Sequence, residues 1–159
     1  MEVVFRPIGV IHSPFTRLED MPIQPSSETS SPGVIEVLPE FSDGLKDLEG
    51  FSHIYILYHL HRVTTSKLTV IPFLDDVPHG IFATRSPNRP NPIGLSLVEL
   101  VRLEANTLHV NRLDVLDNTP LLDIKPYVPQ FEEPNNVRIG WVEKARSRIK
   151  GQRSDDRFK

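Results

Sequence analysis

The sequence predicts an all-β domain, a small barrel or sandwich with short helices and one helix near the C-terminus. Short apolar segments alternate with turns, and the 159 residues include 15 prolines and 8 glycines. Several short strands separated by such turn signals are typical of β-barrels and β-sandwiches. The length fits one domain that can bury a core of its own.

The first third of the chain is predicted to hold two strands and one helical segment. Residues 2–12 have the composition of a strand, with Gly9 as a candidate bulge, and residues 34–38 form a second, shorter strand. Between them, residues 21–33 are a loop rich in proline and serine. Residues 42–49 have the leucine spacing of a helix and start with Ser-Asp-Gly, which favours an N-cap.

The rest of the chain continues the strand pattern. Residues 53–61 are apolar and aromatic on both faces, which is typical of a strand that is buried on both sides. Further strands are predicted at residues 67–73, 80–84, 95–103 and 107–113. The last two are expected to pair through the turn Glu104-Ala-Asn-Thr, and only residues 141–149 then have the pattern of a helix.

Composition excludes several classes of protein. There is no cysteine, so the chain has no disulfide, thiolate metal site or cysteine nucleophile. The first residues lack the basic start and apolar run of a signal peptide. No stretch approaches the ~20 apolar residues that span a bilayer. We therefore expect a cytoplasmic protein with no membrane contact.

The net charge of −3 conceals a basic C-terminus. Residues 144–159 carry seven Lys or Arg against two Asp. We therefore divide the chain into a barrel domain, residues 1–143, and a basic tail, residues 144–159. Such a tail fits an electrostatic contact with phosphates, and it equally fits a solvated, partly disordered terminus.

The most distinctive segment is residues 80–96, Gly-Ile-Phe-Ala-Thr-Arg-Ser-Pro-Asn-Arg-Pro-Asn-Pro-Ile-Gly-Leu-Ser. Proline fixes φ and lacks an amide donor, so the proline loop (residues 87–92) is neither a helix nor a central strand. A stiff loop that carries Arg85, Arg89 and Asn91 holds donors in place for a carboxylate or phosphate. The composition also fits a rigid surface turn or a polyproline ligand for a partner domain.

This segment resembles the central signature of the TsaA-like family, also called YaeB or TrmO, which are tRNA methyltransferases with an unusual β-barrel fold. Three more motifs, at residues 8–15, 48–57 and 114–127, resemble the family in the same order. The resemblance favours a barrel over a sandwich and implies S-adenosylmethionine as cofactor. The chain has no G-x-G turn of the doubly wound methyltransferases, so loops of a β-structure must hold that cofactor.

The resemblance also implies which residues contact the cofactor. They are Gln24, Pro25, Ser26, His61, Arg62, Arg85, Leu95, Asp114, Val115, Leu116 and Asp117. Arg85 suits the methionyl carboxylate because a fork of donors meets two oxygens. Leu95 would pack against the adenine or the thioether chain, or simply belong to the core. Asp117 also fits a turn-forming residue that bonds to its own backbone.

Histidines at the end of the predicted strand 53–61 suggest a second kind of site. Strand alternation places His59 and His61 on one face, and His53 lies on the same strand. The spacing of these residues matches no metal motif, so we expect no bound metal.

The family resemblance implies that the acceptor is N6 of threonylcarbamoyladenosine at position 37, in the tRNA anticodon loop. A fixed cation should pair with the carboxylate of that base, and Arg89 or Lys125 is the candidate. Tyr127 is a candidate to stack on the base. Asp123 either receives the departing proton or forms a salt bridge with Lys125.

Two further expectations concern assembly and activity. Long loops leave the cofactor little cover, so a second subunit is expected to close the pocket in a homodimer. The alternative to an enzyme is a non-enzymatic module that binds S-adenosylmethionine or a peptide.

Overall fold

The computed structural model describes residues 1–21 and 31–148. Its strands are β1 (Gly9–His12), β2 (Gly33–Val37), β3 (His53–His59), β4 (Thr69–Val70), β5 (His79–Gly80), β6 (Ile93–Glu104), β7 (Thr107–Asn111) and β8 (Thr119–Pro126). The 3-10 helices span Leu18–Asp20, Pro39–Leu45, Leu48–Gly50, Ile81–Ala83 and Gly140–Arg148, and the helical turn α1 spans Pro129–Glu132. None of the helices in these ranges is long and apolar enough to cross a membrane.

Six strands close into an antiparallel barrel in the order β1-β2-β7-β6-β3-β8, which confirms the predicted fold class. Strands β4 and β5 form a separate two-stranded sheet. Because neighbouring barrel strands are antiparallel, the end of one strand lies beside the start of the next. One end of the barrel, which we call the upper end, therefore holds the last residues of β1 and β3, His12 and His59, and the first residue of β8, Thr119. The chain enters β6 at Ile93, opposite His59, at this same end.

Alternating residues of the barrel strands fill its interior. The inward-facing side chains with almost no exposed surface are Ile11, Ile35, Ile54, Ile56, Val98, Leu108, Val110 and Leu121. Burial of each such side chain stabilises the fold by roughly 1.5–3 kcal/mol. This period of two along the strands places apolar side chains inside the barrel, which closes through the pairing of β1 with β8.

The prediction that β3 is buried on both sides was wrong. Ile54, Ile56 and Tyr58 are buried, whereas Tyr55 and Leu57 between them are only half-buried. A barrel strand has one face inside and one face outside, and aromatic residues on the outside cover each other. The ring of Tyr55 packs edge-on against Tyr127 with 5.8 Å between centroids, so the outer face is apolar and aromatic without being core.

The predicted pairing of the two long strands is confirmed, with the turn where it was expected. Strand β6 ends at Glu104 and β7 begins at Thr107. Ala105 takes a left-handed φ of 53° in this turn. The side-chain amide of Asn106 donates to the Val37 carbonyl at 2.6 Å, which joins the turn to β2.

Several predicted boundaries differ from the structure. The first strand begins only at Gly9, which pairs regularly with Val37 and is no bulge. A Cβ on Gly9 would lie 2.3 Å from the Glu36 carbonyl oxygen, so close strand approach explains this glycine. The predicted strand 80–84 is mainly the 3-10 helix Ile81–Ala83, and the predicted helix 42–49 falls across two short 3-10 helices.

The predicted C-terminal helix is a 3-10 helix, Gly140–Arg148, within the described residues. The Trp141 indole N–H donates to the Ala83 carbonyl at 2.8 Å. Its ring also stacks on the His79 imidazole with 4.6 Å between centroids. This segment therefore packs next to the chain that leads into Arg85.

Candidate functional site

The predicted cofactor residues that the structure describes come from loops and strand starts at the upper end. His61 and Arg62 follow β3, Leu95 lies near the start of β6, and residues 114–117 connect β7 to β8. Arg85 precedes the proline loop, which leads directly into β6. Gln24, Pro25 and Ser26 lie outside the described residues. Segments far apart in sequence thus meet at one end of the barrel.

Asp114 is the polar centre of this end. Its Oδ1 accepts a hydrogen bond from Ser96 Oγ at 2.5 Å, which joins the 114–117 segment to β6. Burial raises the pKa of the Asp114 carboxyl to about 6, and the Ser96 hydrogen bond and the positive charge of Arg85 oppose that rise. The carboxylate is therefore mostly ionised at neutral pH and gains protons just below it.

Arg85 is exposed and lies close enough to influence three acidic groups. Burial is the larger effect and raises the pKa of Tyr58 and of Tyr55, while the Arg85 guanidinium lowers both values. It acts in the same direction on Asp114. An exposed guanidinium within electrostatic range of an ionised carboxylate can hold a zwitterionic ligand, since each charge finds a partner.

The donor set of this end fits S-adenosylmethionine. Arg85 offers a fork of donors to a carboxylate, and Asp114 offers an acceptor to amino or hydroxyl groups. The Leu95 side chain is 47% exposed and lies on the outer face of β6, so the interpretation of Leu95 as a core residue is wrong. Its apolar surface is accessible to a ligand.

His61 lies at the same end and contacts the start of β8. Its Nδ1 is 3.3 Å from the Thr119 hydroxyl at the start of β8. Burial lowers the pKa of His61, and the nearby Arg62 and His59 lower it further. Among the residues that the structure describes, no group of three His, Cys, Asp or Glu side chains is arranged to hold a metal ion.

Asp117 has contacts that hold the loop together. Its Oδ1 accepts from the Ser13 amide at 3.1 Å and lies 3.4 Å from His12 Nδ1. Its Oδ2 accepts from the Asn118 side-chain amide at 2.8 Å. The carboxylate thus fastens the start of the turn to the end of β1, a structural role close to the predicted turn-forming one.

The backbone of residues 114–117 is also engaged with the end of β1. The Val115 carbonyl accepts from the Ser13 hydroxyl at 2.6 Å, and the Asp117 amide donates to the Phe15 carbonyl at 2.8 Å. Val115 itself is buried, while Leu116 is half-buried. The segment is thereby fixed at both ends, which keeps Asp114 in place.

Arg89 organises the chain around the proline loop. Its Nη1 lies within hydrogen-bond distance of three carbonyls, of Ile81 at 3.2 Å, Thr84 at 2.8 Å and Ser86 at 3.4 Å. Its guanidinium also lies 5.9 Å from the centroid of the Phe82 ring. The side chain is half-buried, so it stabilises the segment that carries Arg85.

Asp123, Lys125 and Tyr127 lie along the outer face of β8 and just beyond its end. Lys125 Nζ is 2.9 Å from Asp123 Oδ2, the predicted salt bridge. Such an exposed pair is worth only about 0–1 kcal/mol, so it opens easily for a ligand. The Tyr127 ring packs against the Tyr55 ring, and Tyr55 is the residue of β3 that pairs with Lys125.

Sequence reasoning missed Tyr58, Ser96 and Thr119. All three are buried polar residues in barrel strands. Their signal was a hydroxyl at a position where the period of two predicts an apolar inward-facing residue. Trp141 was also missed, because nothing in the sequence connects it with Ala83 or His79.

The chain is similar to known proteins of one family. The sequence model of the tRNA-methyltransferase O N-terminal domain matches residues 10–133, so the chain belongs to this family. A probable S-adenosyl-L-methionine-binding protein of Pyrococcus abyssi is 53% identical over 156 residues, which cover 98% of this chain and 85% of that protein. Human tRNA (adenine(37)-N6)-methyltransferase is 36% identical over 140 residues, 84% of this chain and 31% of the human protein.

The fold matches solved structures as well. The crystal structure of TrmO from Pseudomonas aeruginosa aligns with a TM-score of 0.75 at 37% identity. The alignment covers 89% of this chain and 63% of the crystallised one. The predicted TsaA-like family is confirmed.

Proposed function

We propose that this protein is an S-adenosylmethionine-dependent tRNA methyltransferase that methylates N6 of threonylcarbamoyladenosine at position 37 of the anticodon loop. The observation that carries the proposal is the meeting of Arg85, Asp114 and the His61–Thr119 pair at one end of the barrel, in a chain of the tRNA-methyltransferase O family. The human relative's name supports the adenine N6 acceptor. This activity belongs in the cytoplasm, where we expect the protein.

The residues of the upper end would hold the cofactor as follows. Arg85 binds the methionyl carboxylate, Asp114 accepts hydrogen bonds from amino or ribose hydroxyl groups, and Leu95 packs against apolar surface. When bound, S-adenosylmethionine supplies a methyl group on a sulfonium that is already a good leaving group. The protein therefore contributes mainly alignment of donor and acceptor and exclusion of water.

The outer face of β8 is the proposed acceptor side. Lys125 is exposed and pairs with Asp123 across 2.9 Å, so it can exchange that partner for the carboxylate of the modified base. Tyr127 lies two residues further on and presents a half-buried aromatic ring on which a base can stack. Arg89 remains the second candidate cation, and Asp123 remains the candidate proton acceptor.

A homodimer is part of the proposal. Phe82 and Leu68 are 76% and 69% exposed and lie on adjacent segments, because the Ile81 amide donates to the Leu68 carbonyl at 2.9 Å. Large exposed apolar side chains beside a site favour a second surface that covers them. Loops of a second subunit would then exclude water from the methyl transfer.

Methyl transfer to synthetic anticodon stem-loops tests the function. Two substrates, with and without the threonylcarbamoyl group at position 37, are incubated with the protein and labelled S-adenosylmethionine, and the product nucleosides are identified by mass spectrometry. The expected result is an N6-methylated product from the modified substrate alone. Binding of cofactor without transfer to either substrate would contradict the proposal and favour a non-enzymatic module. Arg85→Ala serves as the cofactor-binding control.

A further inference from the structure

A pair of hydroxyl groups inside the barrel ends at Asp114. Tyr58 Oη lies 3.0 Å from Ser96 Oγ, and Ser96 Oγ donates to Asp114 Oδ1 at 2.5 Å. Serine has one hydroxyl proton, and since Ser96 gives it to Asp114, Tyr58 must be the donor to Ser96. We propose that Tyr58 and Ser96 are positioning residues, an oriented pair that fixes the Asp114 carboxylate for binding the cofactor.

The state of the phenol agrees with this direction of the two hydrogen bonds. Burial raises the pKa of Tyr58 well above its ordinary value, and the nearby negative charge of Asp114 adds to the rise. The phenol therefore keeps its proton at any pH the protein meets, and it always has a proton to donate. Each hydroxyl in such a chain strengthens the next hydrogen bond.

The surroundings make these two hydroxyls unusual. Tyr58 and Ser96 are 7% and 3% exposed, and their neighbours on the inward faces of β3 and β6 are Ile56 and Val98. A buried hydroxyl costs stability unless it is hydrogen-bonded. Phe and Ala would fill the same space without that cost, so the hydroxyls are explained by what they do to Asp114.

Gly94 makes room for the pair. It lies opposite Tyr58 in the β3–β6 register. A Cβ at this position would lie 2.1 Å from Cε2 and 2.4 Å from Cζ of the Tyr58 ring. Any larger residue would displace the ring, and with it the phenol oxygen that reaches Ser96.

Charges around Asp114 set how the pair acts. Burial raises the pKa of the carboxyl to about 6, whereas the Ser96 hydrogen bond and Arg85 hold it down. Asp117, in the same segment, is engaged by Ser13 and His12 instead. Without the Ser96 hydroxyl, the carboxyl should take up a proton at a higher pH and lose its ability to accept from a ligand. This inference rests on the proposed function, which assigns Asp114 to the cofactor.

Cofactor binding as a function of pH tests the inference. S-adenosylmethionine is titrated calorimetrically into the wild type, Ser96→Ala and Tyr58→Phe between pH 6 and pH 8.5. If removal of the Ser96 hydroxyl raises the midpoint of Asp114 by about one pH unit, Ser96→Ala binds about fivefold more weakly than wild type at pH 6. At pH 8.5 the two should agree within about twofold, because both carboxyls are then ionised.

Tyr58→Phe should move binding in the same direction by a smaller amount, since Ser96 still donates. It removes one oxygen and keeps the ring, so it tests the inference even if Ser96→Ala folds poorly. Val98→Ala is the matched control, the next inward position of β6. Its affinity relative to wild type should not change with pH. If the affinities of Ser96→Ala and Tyr58→Phe relative to wild type are as independent of pH as that of Val98→Ala, the inference is overturned.

A second readout needs no cofactor. The carboxyl carbon signal of Asp114, identified by its absence in Asp114→Asn, is followed by NMR against pH in the free protein. We expect a midpoint near 6 in the wild type and a higher one in Ser96→Ala. If Asp114→Asn binds cofactor as tightly as wild type, the role of Asp114 in the proposed function fails. If only Asp114→Asn weakens binding, the positioning inference alone fails.

Discussion

Replacement of Gly94 by alanine should destabilise the barrel markedly. The added methyl group would lie 2.1 Å from the buried Tyr58 ring, so either the ring or strand β6 must move. Overpacking of this kind costs about 1–3 kcal/mol, and loss of the Tyr58–Ser96 hydrogen bond costs about 1 kcal/mol more. The lower entropy of an unfolded alanine chain returns about 0.5–1 kcal/mol. The net expected loss is about 1–3.5 kcal/mol of the free energy of unfolding.

Urea denaturation measures this loss as a lower midpoint at an unchanged slope, and thermal unfolding should show a decrease of roughly 4–10 °C. Gly44→Ala is the matched control, because a Cβ there meets nothing within 4 Å, and it should stay within about 0.5 kcal/mol of wild type. The double variant Gly94→Ala with Tyr58→Ala should lose less free energy of unfolding than the sum of the losses in the two single variants. A Gly94→Ala protein as stable as wild type would refute the packing argument.

Five further predictions concern the proposed site, the basic tail and the assembly. Arg85→Ala should weaken S-adenosylmethionine binding by about 1.5–3 kcal/mol, as for a hydrogen bond to a charged group; calorimetry showing less than about 0.5 kcal/mol in a folded variant would remove Arg85 from the site. Lys125→Ala should leave cofactor affinity unchanged and reduce methyl transfer to the modified stem-loop. An equal reduction on the unmodified one would instead indicate a phosphate contact. If Arg89 pairs with the carboxylate of the modified base, Arg89→Ala should also leave cofactor affinity unchanged and reduce methyl transfer to the modified stem-loop. It should in addition lower the melting temperature, because three carbonyls lose their donor. Removal of residues 151–159, outside the described residues, should raise the KM for tRNA and flatten its salt dependence by about one power per lost phosphate contact; an identical slope would show that the tail does not bind tRNA. Light scattering should give about twice the 18.1 kDa chain mass, and a monomer fully active at nanomolar concentration would contradict the dimer.

Much of the barrel could be predicted from local patterns. The β6–β7 hairpin and its turn were expected where they occur, since apolar alternation and a short polar turn are properties of neighbouring residues. Strand β8 was harder to predict as a full strand. Its sequence contains two prolines and mixes charged with apolar residues, so pairing with β1 and β3 decides its conformation.

The site was predicted as a set of segments, and its internal contacts were not. The order of motifs placed Arg85, His61 and residues 114–117 in one family pattern, which the family match supports. Arg89 was expected to face the substrate, yet its half-buried guanidinium holds three carbonyls of its own segment. Whether a cation is free for a ligand depends on carbonyls that only the folded chain brings near it.

Local patterns of about a dozen residues were enough to predict the all-β class and the β6–β7 hairpin. The choice of a barrel and the candidate site segments came from the family resemblance, whose motifs extend over residues 8–127. The tertiary structure alone decided which polar atoms meet. Tyr58 and Ser96 are 38 residues apart, Ser96 and Asp114 are 18 apart, and Trp141 and Ala83 are 58 apart. Closure of the barrel brings Tyr58, Ser96 and Asp114 together, and burial is what moves the Asp114 pKa to about 6. Desolvation of a carboxyl is a property of the packed chain, so no local pattern carries it.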